Sequence, residues 1–138
     1  MQLDLSLLSP DGPIVKTARE KFPNALAVYG FGSRIQGTDN AESDLDLAVL
    51  VGGYVDPLQL WDASGALAEI AQCPVDLLDL RAATTVMQYQ VITTGIRLWA
   101  ADVRAGLFEC YVLSEKTALD VARARLMQDI ATTGKIYA

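Results

Sequence analysis

The chain has 138 residues, of which 51% are hydrophobic and 20% are charged, and its formal net charge is −6 at pH 7. Length and hydrophobic content predict one folded domain and exclude intrinsic disorder, while the acidity argues against nonspecific binding to nucleic acid or anionic membranes. The lack of histidine excludes imidazole general bases, histidine-ligated zinc and Ser-His-Asp catalysis.

The first half of the chain predicts alternating helices and strands. Asp11-Gly12-Pro13 is typical of a helix start with proline in the first turn, and Pro23-Asn24 ends that helix. The apolar run Ala25–Tyr29 predicts a short buried strand. A turn, a short helix, a polar loop and a second strand follow, at Gly30–Gly32, Ser33–Gln36, Gly37–Ser43 and Asp44–Val51.

The second half predicts three helices and two further strands. Asp56-Pro57 is another cap-and-proline start, for a helix that runs to about Ala71. Thr84 or Thr85 caps a helix that ends at Gly95. The other elements are a third strand, a fourth strand at the sheet edge and a long final helix, at Val75–Leu80, Ile96–Ala100 and Asp102 to about Thr132.

The final helix carries an apolar stripe. Because its apolar residues recur at helical spacing, we expect one face of the helix to pack on the sheet. The stripe consists of Phe108, Val112, Leu119, Ala122, Leu126 and Ile130. Strands that alternate with helices predict an α/β (α+β) domain, in which helices flank a small mixed β-sheet.

The two cysteines and the amino terminus bear on location. Cys73 and Cys110 are too few and too far apart in sequence to indicate a disulfide framework or a zinc site. We expect two buried thiols in a protein of the reducing cytoplasm. Residues 1–10 lack the basic start and apolar core of a signal peptide, and no apolar run reaches membrane-spanning length. The sequence therefore predicts a cytoplasmic protein without a membrane partner.

Two aspartates begin the second predicted strand. Because side chains at positions i and i+2 of a strand point to the same face, Asp44 and Asp46 should lie side by side. Leu45, Leu47 and Val49 then fall on the opposite face. Two bare carboxylates that close repel by about 4 kcal/mol at an effective dielectric constant near 20. A hard cation with oxygen ligands, Mg²⁺ first, would offset this repulsion.

A turn suited to phosphate precedes these aspartates. Glycine in Gly32-Ser33 allows close approach, the serine hydroxyl adds a hydrogen bond, and free backbone N–H groups at the helix start attract phosphate. Arg34 could neutralise phosphate charge, and Ser43 is a further candidate for a nucleotide contact. With Mg²⁺ ions on the aspartates, this is a two-metal arrangement for in-line displacement at a triphosphate.

A third carboxylate on a neighbouring strand would complete such a site. Asp76 and Asp79 lie on opposite faces of the third predicted strand, so only one of them can join the cluster. We favour Asp76, which lies in the body of the strand, and we expect it to accept the proton of the attacking hydroxyl with help from the metal.

Other nucleotide-binding motifs are absent from the sequence. The dinucleotide fingerprint requires a glycine where Ile35 stands, and no Gly-Lys-Ser/Thr phosphate loop occurs. The spacing of the acidic residues before the second strand is not that of an EF-hand calcium loop.

These residues carry a family resemblance. Gly32-Ser33, followed after ten residues by Asp44-Leu45-Asp46, resembles the signature of the polymerase-β-like nucleotidyltransferase superfamily. The finer pattern, Gly-Ser-Arg-x-x-Gly and then Ser-Asp-Leu-Asp-Leu, is similar to that of the minimal nucleotidyltransferases (MNT domain). The segment Val75–Arg81 and the strand Ile96–Trp99 continue the match. The resemblance implies a polymerase-β-like fold in a single minimal nucleotidyltransferase domain over residues 1–138.

The resemblance also implies a function. Members of this group are commonly antitoxins of HEPN/MNT toxin–antitoxin pairs, the MntA type, which transfer AMP from ATP to a tyrosine hydroxyl of a HEPN ribonuclease toxin and so neutralise it. By the same resemblance, Asp44, Asp46 and Asp76 are the metal-binding and catalytic acids, and Ser33 binds phosphate. The implied partners are ATP and the toxin, in a hetero-oligomer.

Two other functions stay open. The chain could be an antitoxin that binds and occludes the toxin without AMP transfer, although a pure binder need not retain three acidic residues. It could also be a small-molecule nucleotidyltransferase of the aminoglycoside-modifying kind. Against this, the chain is short and lacks an obvious extra helical domain to form an antibiotic pocket.

Overall fold

A computed structural model describes residues 5–38 and 43–133 of the chain. The strands are β1 (Ala25–Phe31), β2 (Leu45–Val51), β3 (Val75–Asp79) and β4 (Ile96–Ala100). The helices are α1 (Pro13–Lys21), α2 (Gly32–Gln36), α3 (Pro57–Ala71), α4 (Thr85–Thr94) and α5 (Arg104–Thr133). Each predicted helix and strand is present. A short 3₁₀ helix, Leu5–Leu8, was not predicted, because a single turn leaves no periodic pattern.

Capping residues explain why two of the helices begin where the sequence predicts. The side chain of Asp56 accepts a hydrogen bond from the backbone N–H of Leu58 at 2.8 Å, which satisfies a free donor in the first turn of α3. The hydroxyl of Thr84 accepts from the N–H of Met87 at 3.2 Å and does the same for α4. Local sequence therefore determines these boundaries.

Strand β1 is longer than predicted. Gly30, which the sequence assigns to a turn, pairs with Leu47 of β2 on one side and with Ile96 of β4 on the other. Because both neighbours pair with it, the strand continues through Phe31. The turn is therefore confined to Gly32, which has a φ of +78°.

The four strands form a mixed sheet in the order β3-β2-β1-β4, as the predicted fold class requires. β1 is antiparallel to both β2 and β4, and β2 is parallel to β3. The carboxyl end of β1 and the amino ends of β2 and β3 therefore meet at one end of the sheet. We call this the acidic end, where Gly32, Asp46 and Asp76 lie. Val51 and Asp79 lie at the opposite end.

Both faces of the sheet are covered by helices. Leu45, Leu47 and Val49 of β2 are fully buried in a cluster with apolar residues of α1 and α3, as the strand alternation predicts. Ala48 and Leu50 point to the other face, where they are buried with residues of α4 and α5. Asp46 belongs to this second face by the same alternation.

The predicted packing of the final helix is wrong beyond Val112. Between residues 104 and 132, only Ala105, Phe108 and Val112 are buried, and Leu126 of the predicted stripe is 45% exposed. The reason is length: α5 has 30 residues and spans about 45 Å, whereas the seven-residue strands span roughly 23 Å. The expectation of two buried thiols is wrong as well, since Cys110 lies on the exposed surface of α5 and Cys73 is only partly buried.

Candidate active site

The turn after β1 forms one side of the site. Phe31 ends the strand in an extended conformation, Gly32 reverses the chain with its positive φ, and Ser33 follows in α2. A residue with a side chain is strained at that φ, so the glycine explains why the chain turns at this position. Ser33 is half-buried, at the point where the turn faces the start of β2.

Asp46 lies directly against this turn. Phe31 and Asp46 are register partners in the β1–β2 ladder. A Cβ atom added to Gly32 would overlap the carboxylate of Asp46. Gly32 is therefore required for two reasons, its backbone conformation and the space that the carboxylate occupies. The turn after β1 and the carboxylate of Asp46 are therefore in contact.

Three carboxylates gather at the acidic end. Asp46 and Asp76 are register partners across the parallel β2–β3 pair, and Asp44 lies just before β2. Neighbouring strands are about 4.8 Å apart, and two charges at about 5 Å repel by about 3 kcal/mol at an effective dielectric constant near 20. Burial raises the pKa of Asp46 above its usual 3.8, and the negative charges of Asp76 and Asp44 raise it further.

The structure separates the two candidates for the third acid. Asp76 is exposed beside Asp46. Asp79 is buried at the opposite end of the sheet, where its Oδ2 accepts a hydrogen bond from the backbone N–H of Val55 at 2.8 Å. The geometry therefore joins Asp76, and not Asp79, to the cluster. The catalytic role of Asp76 stays a prediction.

The remaining predicted contacts, Arg34 and Ser43, bond to each other. Arg34 is buried, with 7% of its surface exposed, and its Nε donates a hydrogen bond to the backbone oxygen of Ser43 at 2.7 Å. Both residues are predicted to contact the nucleotide. Their bond to each other is not predicted, because nothing local in the sequence indicates it. Residues 39–42, between the two, lie outside the described part of the chain.

The donor set suits a hard cation such as Mg²⁺. All three side chains offer carboxylate oxygens. Burial raises the pKa of Asp46 and the charges of Asp76 and Asp44 raise it further, and a bound cation would offset that charge repulsion. Within residues 5–38 and 43–133, no three acidic or thiol side chains are grouped closely enough to hold a metal ion as they lie. Asp44 and Asp76 are both exposed, whereas Asp46 is half-buried.

Comparison with known proteins decides the family. A family model described as polymerase beta, nucleotidyltransferase matches residues 13–104, which contain all four strands and the whole cluster. The chain belongs to the polymerase β nucleotidyltransferase family. The resemblance that the Gly-Ser and Asp-x-Asp patterns indicate is thereby confirmed.

Relatives within the family are similar over most of the chain. A protein adenylyltransferase MntA from Shewanella oneidensis is 35% identical over 120 residues, which is 87% of this chain and 86% of the relative. A toxin–antitoxin crystal structure with AMP-PNP is 36% identical with a TM-score of 0.75, covering 86% of this chain and 95% of its counterpart.

A second solved structure links the fold to a modified toxin. It contains the tri-AMPylated HEPN toxin of Shewanella oneidensis in complex with its MNT antitoxin. The matched chain is 32% identical with a TM-score of 0.69, covering 86% of this chain and 92% of its counterpart. The predicted fold class of this nucleotidyltransferase is thereby confirmed. None of its described helices is long and apolar enough to cross a membrane.

Proposed function

We propose that this nucleotidyltransferase is a Mg²⁺-dependent protein adenylyltransferase, which transfers AMP from ATP to a tyrosine hydroxyl of a HEPN ribonuclease toxin and so neutralises the toxin. The observation that carries the proposal is the contact of Gly32 with the carboxylate of Asp46, because it joins a turn suited to phosphate to an acidic strand start. The relatives support the choice of AMP as the transferred group and of a toxin as the acceptor.

The reaction is an in-line displacement. The tyrosine oxygen attacks the α-phosphorus of ATP and forms a new oxygen–phosphorus bond. The bond between the α-phosphorus and the bridging oxygen breaks, and pyrophosphate leaves with that oxygen and its electron pair. The proton of the hydroxyl passes to the carboxylate of Asp76, whose side chain is exposed.

The turn binds the triphosphate. Gly32 has no side chain to obstruct a phosphate, while the Ser33 hydroxyl and the backbone N–H groups of the turn donate hydrogen bonds to phosphate oxygens. The hydroxyl of Ser43, which is half-buried just before the acidic strand, adds a further nucleotide contact. The buried Arg34 lies behind the turn, where its Nε donates to the backbone oxygen of Ser43.

Asp44, Asp46 and Asp76 would hold Mg²⁺. When bound, the ion supplies positive charge that offsets the phosphate charges during displacement. Asp46 is the fixed member of the set, since it packs on Gly32, and the exposed Asp44 and Asp76 adjust to it. We place this enzyme in the cytoplasm, as one domain over residues 1–138, in a hetero-oligomer with the toxin.

A direct test is the intact mass of a purified HEPN toxin after incubation with the enzyme, ATP and Mg²⁺. We expect the mass to increase by whole AMP units, fragmentation to place them on tyrosine, and EDTA to abolish the increase. An unchanged mass with inhibited ribonuclease activity would contradict the proposal and favour occlusion. Transfer of AMP to an aminoglycoside but not to the toxin would contradict it in favour of a small-molecule enzyme.

A further inference from the structure

Arg34 is one of the few buried charged side chains among the described residues. It lies in α2, directly after Ser33, and 93% of its surface is covered. Its Nε donates to the backbone oxygen of Ser43 at 2.7 Å, which is short for a hydrogen bond of this type. A buried guanidinium with such a bond acts on the protein backbone and has little surface left for a ligand.

The position of that bond gives it a consequence for the site. Ser43 immediately precedes Asp44, and α2 carries Ser33 of the turn. The Arg34 side chain therefore links the turn to the start of the acidic strand, across the connection of residues 37–43. Because a guanidinium is planar and presents its donors in a fixed geometry, the link constrains the backbone oxygen in direction as well as in distance.

We infer that Arg34 is a positioning residue that fixes the backbone before Asp44, and that it acts on the metal-binding carboxylates rather than as a ligand of the phosphates. The inference rests on the proposed function. Asp46 is fixed by its contact with Gly32, whereas the exposed Asp44 has its position set by the backbone that Arg34 holds. Loss of the link moves Asp44 and leaves the phosphate-binding turn in place.

The other end of β2 offers a matched control. Nε of Arg81 donates to the backbone oxygen of Val51 at 3.0 Å, and Arg81 is partly buried. The same kind of bond thus fastens the backbone at both ends of one strand, but only the Arg34 bond lies beside the acidic cluster. Arg34→Met and Arg81→Met each remove a guanidinium and keep a flexible side chain of similar length.

The test compares the two variants with the wild-type enzyme in three measurements. These are steady-state transfer of AMP, binding of Mn²⁺ followed by electron paramagnetic resonance without nucleotide, and amide hydrogen exchange of the peptide that contains Asp44–Asp46. Circular dichroism and melting curves establish that both variants are folded. Arg34→Lys is included because it restores a positive charge without the planar guanidinium.

For Arg34→Met we expect kcat to fall by about 100-fold, as misplacement of a catalytic group by about 1 Å does, and the KM for ATP to stay within about twofold. Mn²⁺ binding should weaken by about tenfold, and the Asp44–Asp46 peptide should exchange faster. Arg34→Lys should recover only part of kcat, because it keeps the charge but not the planar donor. Arg81→Met should leave kcat and Mn²⁺ binding unchanged.

Two results would overturn the inference. One is a rise of at least about tenfold in the KM for ATP with unchanged kcat and Mn²⁺ binding, which is the behaviour of a phosphate ligand. The other is a variant with unchanged Mn²⁺ binding and hydrogen exchange, since the link then fixes nothing at Asp44. If the wild-type enzyme transfers no AMP, the proposed function fails, while Mn²⁺ binding and hydrogen exchange still decide the role of Arg34.

Discussion

The two ends of the sheet use aspartate in opposite ways. At the opposite end, Asp79 is buried and accepts a hydrogen bond from Val55, and the guanidinium of Arg81 binds a backbone oxygen. At the acidic end, Asp46 and Asp76 are register partners, and the pKa of Asp46 is raised by its burial and further by the negative charges of Asp76 and Asp44. Asp79 thus holds the backbone of Val55 through one oxygen, whereas Asp46 and Asp76 retain a charge repulsion, as functional sites do.

Removal of the paired aspartates should have the largest effect. Asp44→Asn/Asp46→Asn should lower AMP transfer by at least about 1,000-fold, because the metal loses two carboxylate ligands. Label transfer to the acceptor is the measurement. The matched control is Asp62→Asn/Glu69→Gln on the exposed face of α3, which should transfer at the wild-type rate. If the aspartate variant labels the acceptor as well as the wild-type enzyme does, the assigned site is wrong.

Substitution of Asp76 should have the next largest effect on AMP transfer, and Asp79 in the same strand serves as its comparison. Asp76→Asn should lower kcat by about 100-fold, the usual contribution of a general base, with little change in stability. Asp79→Asn should keep its kcat, because the amide oxygen still accepts from Val55. Asp79→Ala should lose about 1–3 kcal/mol of unfolding free energy, since it leaves the partly buried N–H of Val55 without its partner. A larger loss of kcat in Asp79→Asn than in Asp76→Asn would reverse the assignment of the third acid.

Two glycines with the same backbone conformation isolate the contact between the turn and Asp46. Gly32 and Gly37 both have a φ of +78°, but a Cβ atom at Gly37 would meet no atom of the described residues within 4 Å. Alanine at either position should cost about 1–2 kcal/mol of unfolding free energy through backbone strain. Only Gly32→Ala should also displace Asp46 and lower transfer by about tenfold or more. An equal loss of AMP transfer in the two variants would show that the contact between Gly32 and Asp46 is not required.

The smallest expected effect is on stability as a function of pH, measured by melting curves in EDTA. The pKa of Asp46 is raised in the folded protein, so its stabilising contribution is present below the usual value of 3.8 and is lost as the pH rises through the raised value. At pH 7 the neutral side chain of Asp46→Asn should therefore raise the Tm by on the order of 2 °C. The gain should disappear below pH 4. A lower Tm of Asp46→Asn than of the wild-type protein at pH 7 would contradict the claim that the charged Asp46 side chain destabilises the fold.

Much of the fold follows from local sequence, as particular residues illustrate. The caps Asp56 and Thr84 place α3 and α4 correctly, because a capping bond involves only residues two or three positions apart. The extension of β1 through Gly30 and the exposure of α5 beyond Val112 are not predictable in this way. Both depend on tertiary structure: Gly30 has strand partners on two sides, and the sheet is too short for the helix.

In the candidate site, too, some features follow from local sequence and others depend on tertiary structure. Strand alternation predicts that Leu45 and Leu47 are buried opposite the aspartates, and that Asp76 and Asp79 lie on different faces. The choice of Asp76 depends on the register of β2 with β3, which pairs it with Asp46 and which no local pattern gives. Arg34 is held by a contact with Ser43, nine positions away, which no local pattern predicts. The sequence suggests a phosphate ligand at Arg34 only because Arg34 follows Ser33.

The most direct measurement asks which phosphate of ATP reaches the acceptor. Parallel reactions of the wild-type enzyme with the toxin use ATP radiolabelled at the α-phosphate or at the γ-phosphate. If Gly32 and Ser33 bind the triphosphate opposite the metal-binding carboxylates, label from the α-phosphate enters the toxin and label from the γ-phosphate is released as pyrophosphate. Transfer of the γ-label to the toxin, or of neither label in the presence of Mg²⁺, would contradict nucleotidyl transfer at the acidic end of this sheet.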